Sequence, residues 1–369
     1  MILIIITLLL SLLLQADNLG NLTGVLQPES IQVDGDELYV VEKARIFVYS
    51  LKNLQLLRKF GREGDGPGEL KVFPFWPNSI TILPDSIFAE GLYKFIYFSK
   101  EGQLIKEQKK SQRLFKLLPV GKNIVARTFP FEGDDKKQYM AIKVLNPQLK
   151  EIKELYREPV HMLNTEGLIT MIPDSANFCV YDEKIFIEES PGGFVIEVFD
   201  SEGKKLYDIK KNDEKTRVTE DYKKTAMEYL KESFLRKKVT VFVPINVVES
   251  GWDAFRKWAK LVYPDYLPPI QDIVVDSGKI YAQTYKRQGD KEEFVIMDLK
   301  GNILDKVYLP RMKNHAVYDY QMLGIGVRFY AISNNRFIYL NENEDTEEWE
   351  VHMTAIKLAT KPRSHEGQK

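Results

Sequence analysis

The sequence predicts an all-β fold, a six-bladed β-propeller with an α-helical insertion between blades four and five. Three observations predict it: a pattern of short strands that recurs along the chain, glycines at matching turn positions, and an aromatic content suited to strands. Tyr and Phe, 19 and 20 of them, raise the aromatic share to 12%, and aromatic side chains fit the pleated, half-buried surface of a sheet. The 369 residues suffice for two ordinary domains or one large repeat architecture with a continuous core.

The first half of the repeat is an apolar strand, a turn and a strand of aromatic and β-branched residues. It reads Ile31-Gln32-Val33-Asp34-Gly35-Asp36-Glu37-Leu38-Tyr39-Val40 and returns as Ile273-Val274-Val275-Asp276-Ser277-Gly278-Lys279-Ile280-Tyr281-Ala282. Weaker copies begin at Ile80, Leu117, Phe178 and Phe329, so six starts are visible. The second half aligns as Phe95-Ile96-Tyr97-Phe98-Ser99-Lys100-Glu101-Gly102, Val195-Ile196-Glu197-Val198-Phe199-Asp200-Ser201-Glu202-Gly203 and Phe294-Val295-Ile296-Met297-Asp298-Leu299-Lys300-Gly301. A glycine at one place in each copy is what a hairpin turn with positive φ requires. A spacing of roughly 40–50 residues is that of propeller blades, four-stranded sheets that bury their faces only by stacking around a channel. The sixth blade lacks a fourth strand, and Leu22-Thr23-Gly24-Val25-Leu26 is expected to supply it and remove the exposed edge.

Residues 212–269 interrupt the repeat. Thr219 is placed as an N-cap before Glu220 and Asp221, with Tyr222, Ala226, Tyr229, Leu230 and Phe234 as an apolar stripe and Arg236-Lys237-Lys238 at the negative end. A second helix is expected over residues 252–263, stopped by Pro264.

The chain divides into a signal peptide at 1–16, a propeller at 17–360 and a polar tail at 361–369. Residues 2–14 are almost unbroken Ile and Leu before Gln15-Ala16-Asp17, a run that fits a secretory h-region and is short for a bilayer span. A periplasmic or secreted protein follows, with no stable membrane span after cleavage; a retained N-terminal anchor is the second reading and a cytosolic protein the third. Asp17 stands where a lipoprotein would need Cys. The balance of 52 basic and 53 acidic residues lacks the basic excess that neutralises phosphates, and argues against nucleic acid.

Phe60-Gly61-Arg62-Glu63-Gly64-Asp65-Gly66-Pro67-Gly68-Glu69-Leu70, followed by Pro77-Asn78-Ser79-Ile80, resembles the linker between blades of NHL repeats. The likeness extends to exported bacterial six-bladed propellers of unassigned function, which also resemble this chain in Tyr263-Pro264-Asp265-Tyr266-Leu267-Pro268-Pro269 before a late blade. Blade two departs from the pattern, with Leu83-Pro84-Asp85 where Asp-Xaa-Gly is usual. The resemblance implies a fold and an interaction scaffold rather than a reaction.

Motifs for chemistry are few. There is no Gly-Xaa-Ser-Xaa-Gly elbow, no His-Glu-Xaa-Xaa-His and no phosphate loop. The single Cys179 lies in an apolar strand-like run and reads as a small core residue. Asn341-Glu342-Asn343-Glu344-Asp345 reads as a solvated hairpin tip, because Thr346 and His352 stand where a calcium loop needs Gly and Glu. Two readings of function stand. One is a non-enzymatic binding scaffold outside the cytoplasm, taking a protein, peptide or glycan on the channel-mouth face and needing no cofactor. The other is a hydrolase or lyase with calcium or another divalent metal in the channel. All connections between blades emerge on one face, and the aromatic insertion could serve there as a lid or platform. The candidate ligand contacts are therefore Arg62, Trp76, His161, Trp252, Trp258 and His315.

Overall fold

The computed structural model describes residues 17–72, 78–111, 113–132, 137–159, 168–170, 176–189, 193–212, 214–235, 252–253, 255–257, 259–311 and 329–358. Six antiparallel sheets follow the chain: residues 30–60, 80–109, 114–159, 177–211 and 272–310, with the sixth built from 330–355 and the N-terminal Asp17–Asn21. All six starts marked in the sequence become the inner hairpins of blades. Blade one is typical, with Ser30–Asp34 innermost, then Glu37–Glu42, Arg45–Ser50 and Leu56–Phe60 at the rim. Blade three carries a short extra strand, Phe131–Glu132, on the flank of Lys137–Leu145.

The core is a set of layers between neighbouring blades. Tyr39, Ile46 and Val48 of blade one pack with Ile80, Ile87 and Ile96 of blade two. Phe88 and Phe95 then meet Leu117 and Ile124. Val125 and Ile142 meet Phe178 and Ile187. Phe186 and Ile196 meet Ile273 and Val295. The last layer joins Tyr281 and Phe294 of blade five, Phe337 and Ile338 of blade six, and Phe47 and Tyr49 of blade one. The middle strands are apolar on both faces because each face belongs to a different interblade layer.

The turn glycines serve these layers as well as the turns. Gly102, Gly203 and Gly301 have φ of 85°, 83° and 85°, a region that costs little only for glycine. A Cβ on Gly102 would come within 2.4 Å of the Phe60 ring, one on Gly203 within 2.9 Å of Leu155, and one on Gly301 within 2.5 Å of Ile209. In each pair the side chain belongs to the rim strand of the preceding blade.

Ring closure differs from the expectation. The closing strand is Asp17–Asn21, antiparallel to Trp349–Ala355 with Asp17 opposite Met353 and Asn21 opposite Glu350. Leu22 to Leu26 is not a strand. Leu22 and Val25 are both 5% exposed while Leu26 is 81% exposed, and inward residues three apart do not fit the two-residue period of a strand. The segment instead crosses the end of the blade and pins the closure: Leu22 N–H donates to the Trp349 carbonyl at 2.7 Å, and Trp349 Nε1–H donates to the Leu26 carbonyl at 3.1 Å.

The connection from blade four to blade five contains one described helix of length, α1 (Glu220–Leu235). Thr219 caps it, its Oγ1 accepting from Tyr222 N–H at 3.1 Å, and Ala226 is buried. Arg236, Lys237 and Lys238 lie outside the described residues. The second expected helix is not continuous to Tyr263. Residues 252–253 and 255–257 are helical, but Lys260–Val262 is a strand, parallel to Leu168–Thr170 of the preceding interblade connection. A partner strand some 90 positions upstream decides that segment, and local periodicity cannot see it. Among the described residues no helix is long and apolar enough to cross a membrane.

Two measurements test this packing. Removing residues 17–21 deletes a ladder in which each hydrogen bond contributes about 1 kcal/mol; thermal unfolding should show one cooperative transition at a clearly lower Tm, and an unchanged Tm would deny the closure its role. Gly301→Ala and Gly278→Ala both place a Cβ at positive φ, yet only Gly301 also faces a neighbouring blade, Gly278 having nothing within 4 Å. Urea unfolding should therefore show Gly301→Ala as the more destabilising by roughly 1–3 kcal/mol; equal losses would remove the interblade contact from the account.

Candidate functional site at the channel mouth

The six innermost strands enclose a cavity of about 740 Å³ on the propeller axis. One apolar residue from each blade, half-buried, forms its wall: Val33, Ile82, Leu118, Val180, Val274 and Ala331. Each innermost strand begins where the connection from the previous blade enters, so the first residues of these strands share the end of the channel on which those connections lie. The first residues of three are polar and buried: Ser30, Asn177 and Asp272. The second strands run the other way and finish at the same end, bringing Glu90, Arg127, Glu188 and Gln283 beside them.

These side chains form a hydrogen-bonded arc across four blades. Lys116 Nζ donates to Asn177 Oδ1, which also accepts from an Arg127 Nη at 3.4 Å. The same Arg127 nitrogen donates to the Ala176 carbonyl at 2.9 Å. Asn177 Nδ2 donates to Asp272 Oδ1 at 3.0 Å, and the Tyr330 hydroxyl is 3.0 Å from Asp272 Oδ2 and 3.2 Å from Gln283 Oε1. Gln283 Nε2 donates onward to Glu292 at 2.6 Å. Burying polar groups costs several kcal/mol unless they are hydrogen-bonded, and in this low-dielectric setting a connected network fixes each member's orientation. Burial lowers the pKa of the Arg127 guanidinium, and the charges of Glu158 and Glu188 oppose that shift.

Two features beside the arc set its shape. Lys110 and Glu90 form an ion pair at 2.8 Å with side chains 0% and 7% exposed, and the second Glu90 oxygen accepts from Leu117 N–H at 2.8 Å. Blade three's innermost strand, Leu114–Val120, then breaks register between Phe115 and Leu118, with Lys116 at φ 48°. The bulge turns Lys116 onto the cavity wall, its ammonium 4.8 Å from the centre of the Phe178 ring. Most other non-glycine residues with positive φ, such as Asp182, Ser277 and Asn334, sit in hairpin turns.

Glu29 lies at the blade-one margin of the mouth. Its Oε2 accepts from Asn78 N–H at 2.8 Å and Asn78 Nδ2 at 2.9 Å, while Ser30 Oγ donates to the Asn78 carbonyl at 2.9 Å. Burial raises its carboxyl pKa above the ordinary 4.5, and the bonds from Asn78 oppose that rise only in part.

Of the sequence-derived candidates, Trp76, His161, Trp258 and His315 lie outside the described residues. Arg62 is on the surface, paired with Glu69 at 2.7 Å with its side chain 73% exposed. Trp252 is half-buried and stacks on buried Phe255, ring centres 5.6 Å apart. Neither lines the axial cavity. The arc residues carry no motif; their one sequence signal is a polar residue opening an apolar strand, as in Asn177-Phe178-Cys179-Val180 and Asp272-Ile273-Val274-Val275. Cys179 is a buried thiol on the cavity wall. Asn343 Oδ1 closes the acidic hairpin tip by accepting from Asp345 and Thr346 N–H. His352 is held by Glu350 at 2.9 Å and stacks on Tyr339. Among the described residues no group of three or more His, Cys, Asp or Glu is placed to hold a metal ion.

No family model and no curated protein matches the sequence. The fold is similar to that of a member of the DUF4221 family from Bacteroides vulgatus, with a TM-score of 0.50 and 12% identity over 94% of this chain and 98% of that one. Hsv2 from Kluyveromyces lactis aligns with a TM-score of 0.37 and 10% identity over 89% of this chain and 98% of that one. BamB from Moraxella catarrhalis gives 0.32 and 7% over 88% and 71%. At these identities the likeness is one of fold.

Glu29 offers a test of the mouth's electrostatics. A carboxyl whose folded pKa is raised favours folding while protonated; that stability is present below the unfolded pKa and is lost as pH rises through the folded value. Glu29→Gln stays neutral and keeps an acceptor for Asn78. The Tm of the variant relative to the parent should therefore rise as pH is raised above the ordinary carboxyl value of 4.5 and through the folded one. A gap that does not change with pH would mean that burial of Glu29 carries no charge penalty.

Proposed function

We propose that this chain is a binding scaffold acting outside the cytoplasm, with its ligand or partner held on the channel-mouth face. The observation that carries the reading is the hydrogen-bonded arc of Lys116, Arg127, Asn177, Asp272 and Tyr330, of which Lys116, Arg127 and Tyr330 line a cavity of about 740 Å³. Small-molecule sites are concave, largely apolar and carry a few convergent polar groups, and a fold by itself assigns no function. The innermost strands begin at this end of the channel, and Arg62, Trp76, His161, Trp252, Trp258 and His315, from the links that precede them in the sequence, are proposed as outer contacts to a protein, peptide or glycan. The apolar leader at residues 2–14 supports export to the periplasm or beyond. The NHL-like linker from Phe60 to Leu70 supports a scaffold over an enzyme.

The test is a thermal-shift screen of peptides and oligosaccharides against the parent, Asn177→Ala and the double variant Trp252→Ala/Trp258→Ala. A ligand specific for the folded state, at one hundred times its Kd, stabilises by about 2.7 kcal/mol. The expected result is a Tm rise in the parent that both variants lose while remaining folded. An equal rise in all three proteins would move the site off this face.

A further inference from the structure

We infer that the end of the disc opposite the channel mouth rests on an anionic phospholipid leaflet, held by a ring of aliphatic side chains and lysines at the rim, with the mouth facing away from the membrane. This surface is separate from the mouth, and the inference does not depend on what the mouth binds. Three observations carry it.

The first is a repeated bulge. In blades one to five the rim strand breaks register just after the turn that leads into it, leaving one residue without a partner across the ladder: Leu57, Ile105, Ile152, Leu206 and Leu304. All five are aliphatic and 37–53% exposed. With Leu56, Leu104 and Ile303 beside them, they make up eight of the twelve large hydrophobic side chains that are exposed among the described residues. Exposed aliphatic residues scattered singly are ordinary, but these recur at one position of the blade. A bulge at an open edge guards against pairing with another sheet, and a polar side chain would guard it equally well.

The second is geometry. Rim strands start at the end of the disc away from the mouth, where the inner and outer hairpin turns of a blade adjoin. Leu51 N–H donates to the Asp36 carbonyl at 2.8 Å in blade one, and Ile356 N–H to the Asn335 carbonyl at 2.7 Å in blade six. The five bulges therefore lie on one circle around the axis. A protein partner would meet part of that circle, whereas a flat surface meets all of it. The chain also enters the disc at this end: Asp17 faces Met353, two residues from the end of its strand, as Arg58 faces Val48 in blade one. The apolar run at residues 2–14, itself outside the described residues, thus joins the ring on the side of the bulges and not at the mouth.

The third is charge. Each of the five turns that lead into these strands carries a lysine: Lys52, Lys100, Lys150, Lys204 and Lys300. Lys150, Lys204 and Lys300 are exposed. Of the carboxylates in the same turns, Glu202 pairs with Lys122 at 3.2 Å, and Asp200 and Asp298 accept from turn N–H groups. Nearer the axis, Asp34 pairs with Lys100 at 2.7 Å, Asp36 with Lys52 at 3.2 Å and Asp182 with Lys184 at 2.9 Å. An exposed lysine beside an exposed aliphatic side chain suits an anionic interface, where the aliphatic group enters the headgroup boundary and the ammonium meets phosphate.

Vesicle co-sedimentation tests this. Every blade is built from residues after 16, so the chain from Asp17 to Lys369 is used and the apolar run contributes nothing to binding. It should bind vesicles of equal parts phosphatidylcholine and phosphatidylglycerol on the order of tenfold more tightly than phosphatidylcholine vesicles, and high salt should remove that preference. The variant Leu57→Ser/Ile105→Ser/Leu206→Ser/Leu304→Ser should lose binding to both vesicles while keeping a urea midpoint close to the parent's, since these side chains already face solvent. Leu26→Ser, on the mouth side and 81% exposed, should bind as the parent does. Lys150→Glu/Lys204→Glu/Lys300→Glu should lose the anionic preference, and it decides the matter if the serine variant unfolds. No binding to either vesicle, binding that survives the serine substitutions, an equal loss in Leu26→Ser, or a preference that survives the lysine substitutions would each overturn the assignment. Self-association that the serine variant loses, without vesicle binding, would give the ring to a second copy of the chain. Failure of the mouth reading is told apart by Asn177→Ala, which leaves this rim intact.

Discussion

Closure of the ring is the constraint on which the rest of this structure depends. No blade buries both faces by itself, so each hydrophobic layer is shared between neighbours, and the last layer needs strands from both ends of the chain. Phe47 and Tyr49 of the first blade pack in one cluster with Phe337 and Trp349 of the sixth. Asp17–Asn21 completes that sixth blade from outside the repeat. Asp17, Asn18 and Asn21 are exposed, which suits a rim strand with one open edge, while Leu19 is half-buried against the core. Leu22 and Val25, just beyond it, add fully buried apolar anchorage to that of Leu19.

The same stacking creates the channel mouth. Antiparallel blades arranged around an axis bring the first residue of every innermost strand, and the last of every second strand, to one end. Asn177 and Asp272 are 95 positions apart, yet their side chains share a hydrogen bond because blades four and five adjoin. Tyr330 reaches Asp272 from the next blade. The polar arc is a product of repetition: each member is ordinary in its own strand and becomes part of a network only when the blades close.

Packing and site make opposing demands on blade three. A regular innermost strand would continue the ladder without interruption, whereas the bulge at Phe115–Leu118 sacrifices pairing and holds Lys116 in a left-handed conformation. Local strain of this kind costs of order 1–3 kcal/mol. The Lys110–Glu90 pair, fully enclosed, fixes the base of that bulge through Leu117 N–H.

The fold was legible in the sequence because its evidence is local and repeated. Alternating apolar runs and Gly102, Gly203 and Gly301 at equivalent turns mark blades wherever they stand. The Thr219 cap of α1 was equally readable, since a cap acts within one helical turn. Features that depend on distant partners were not legible. Leu22 to Leu26 has strand-like composition, but in the tertiary structure the ladder falls on Asp17–Asn21 before it, while Leu22 and Val25 are buried in the core. Lys260–Val262 became a strand through pairing with Leu168–Thr170. The site was least legible: Lys116, Arg127, Asn177, Asp272 and Tyr330 come from four blades and form no motif. Sequence alone determined the repeat, its turns and its number of blades, all set by short-range periodicity and backbone sterics. Only the closed ring decided which strand seals it and which polar side chains meet at its axis, because those contacts join residues separated by tens to hundreds of positions.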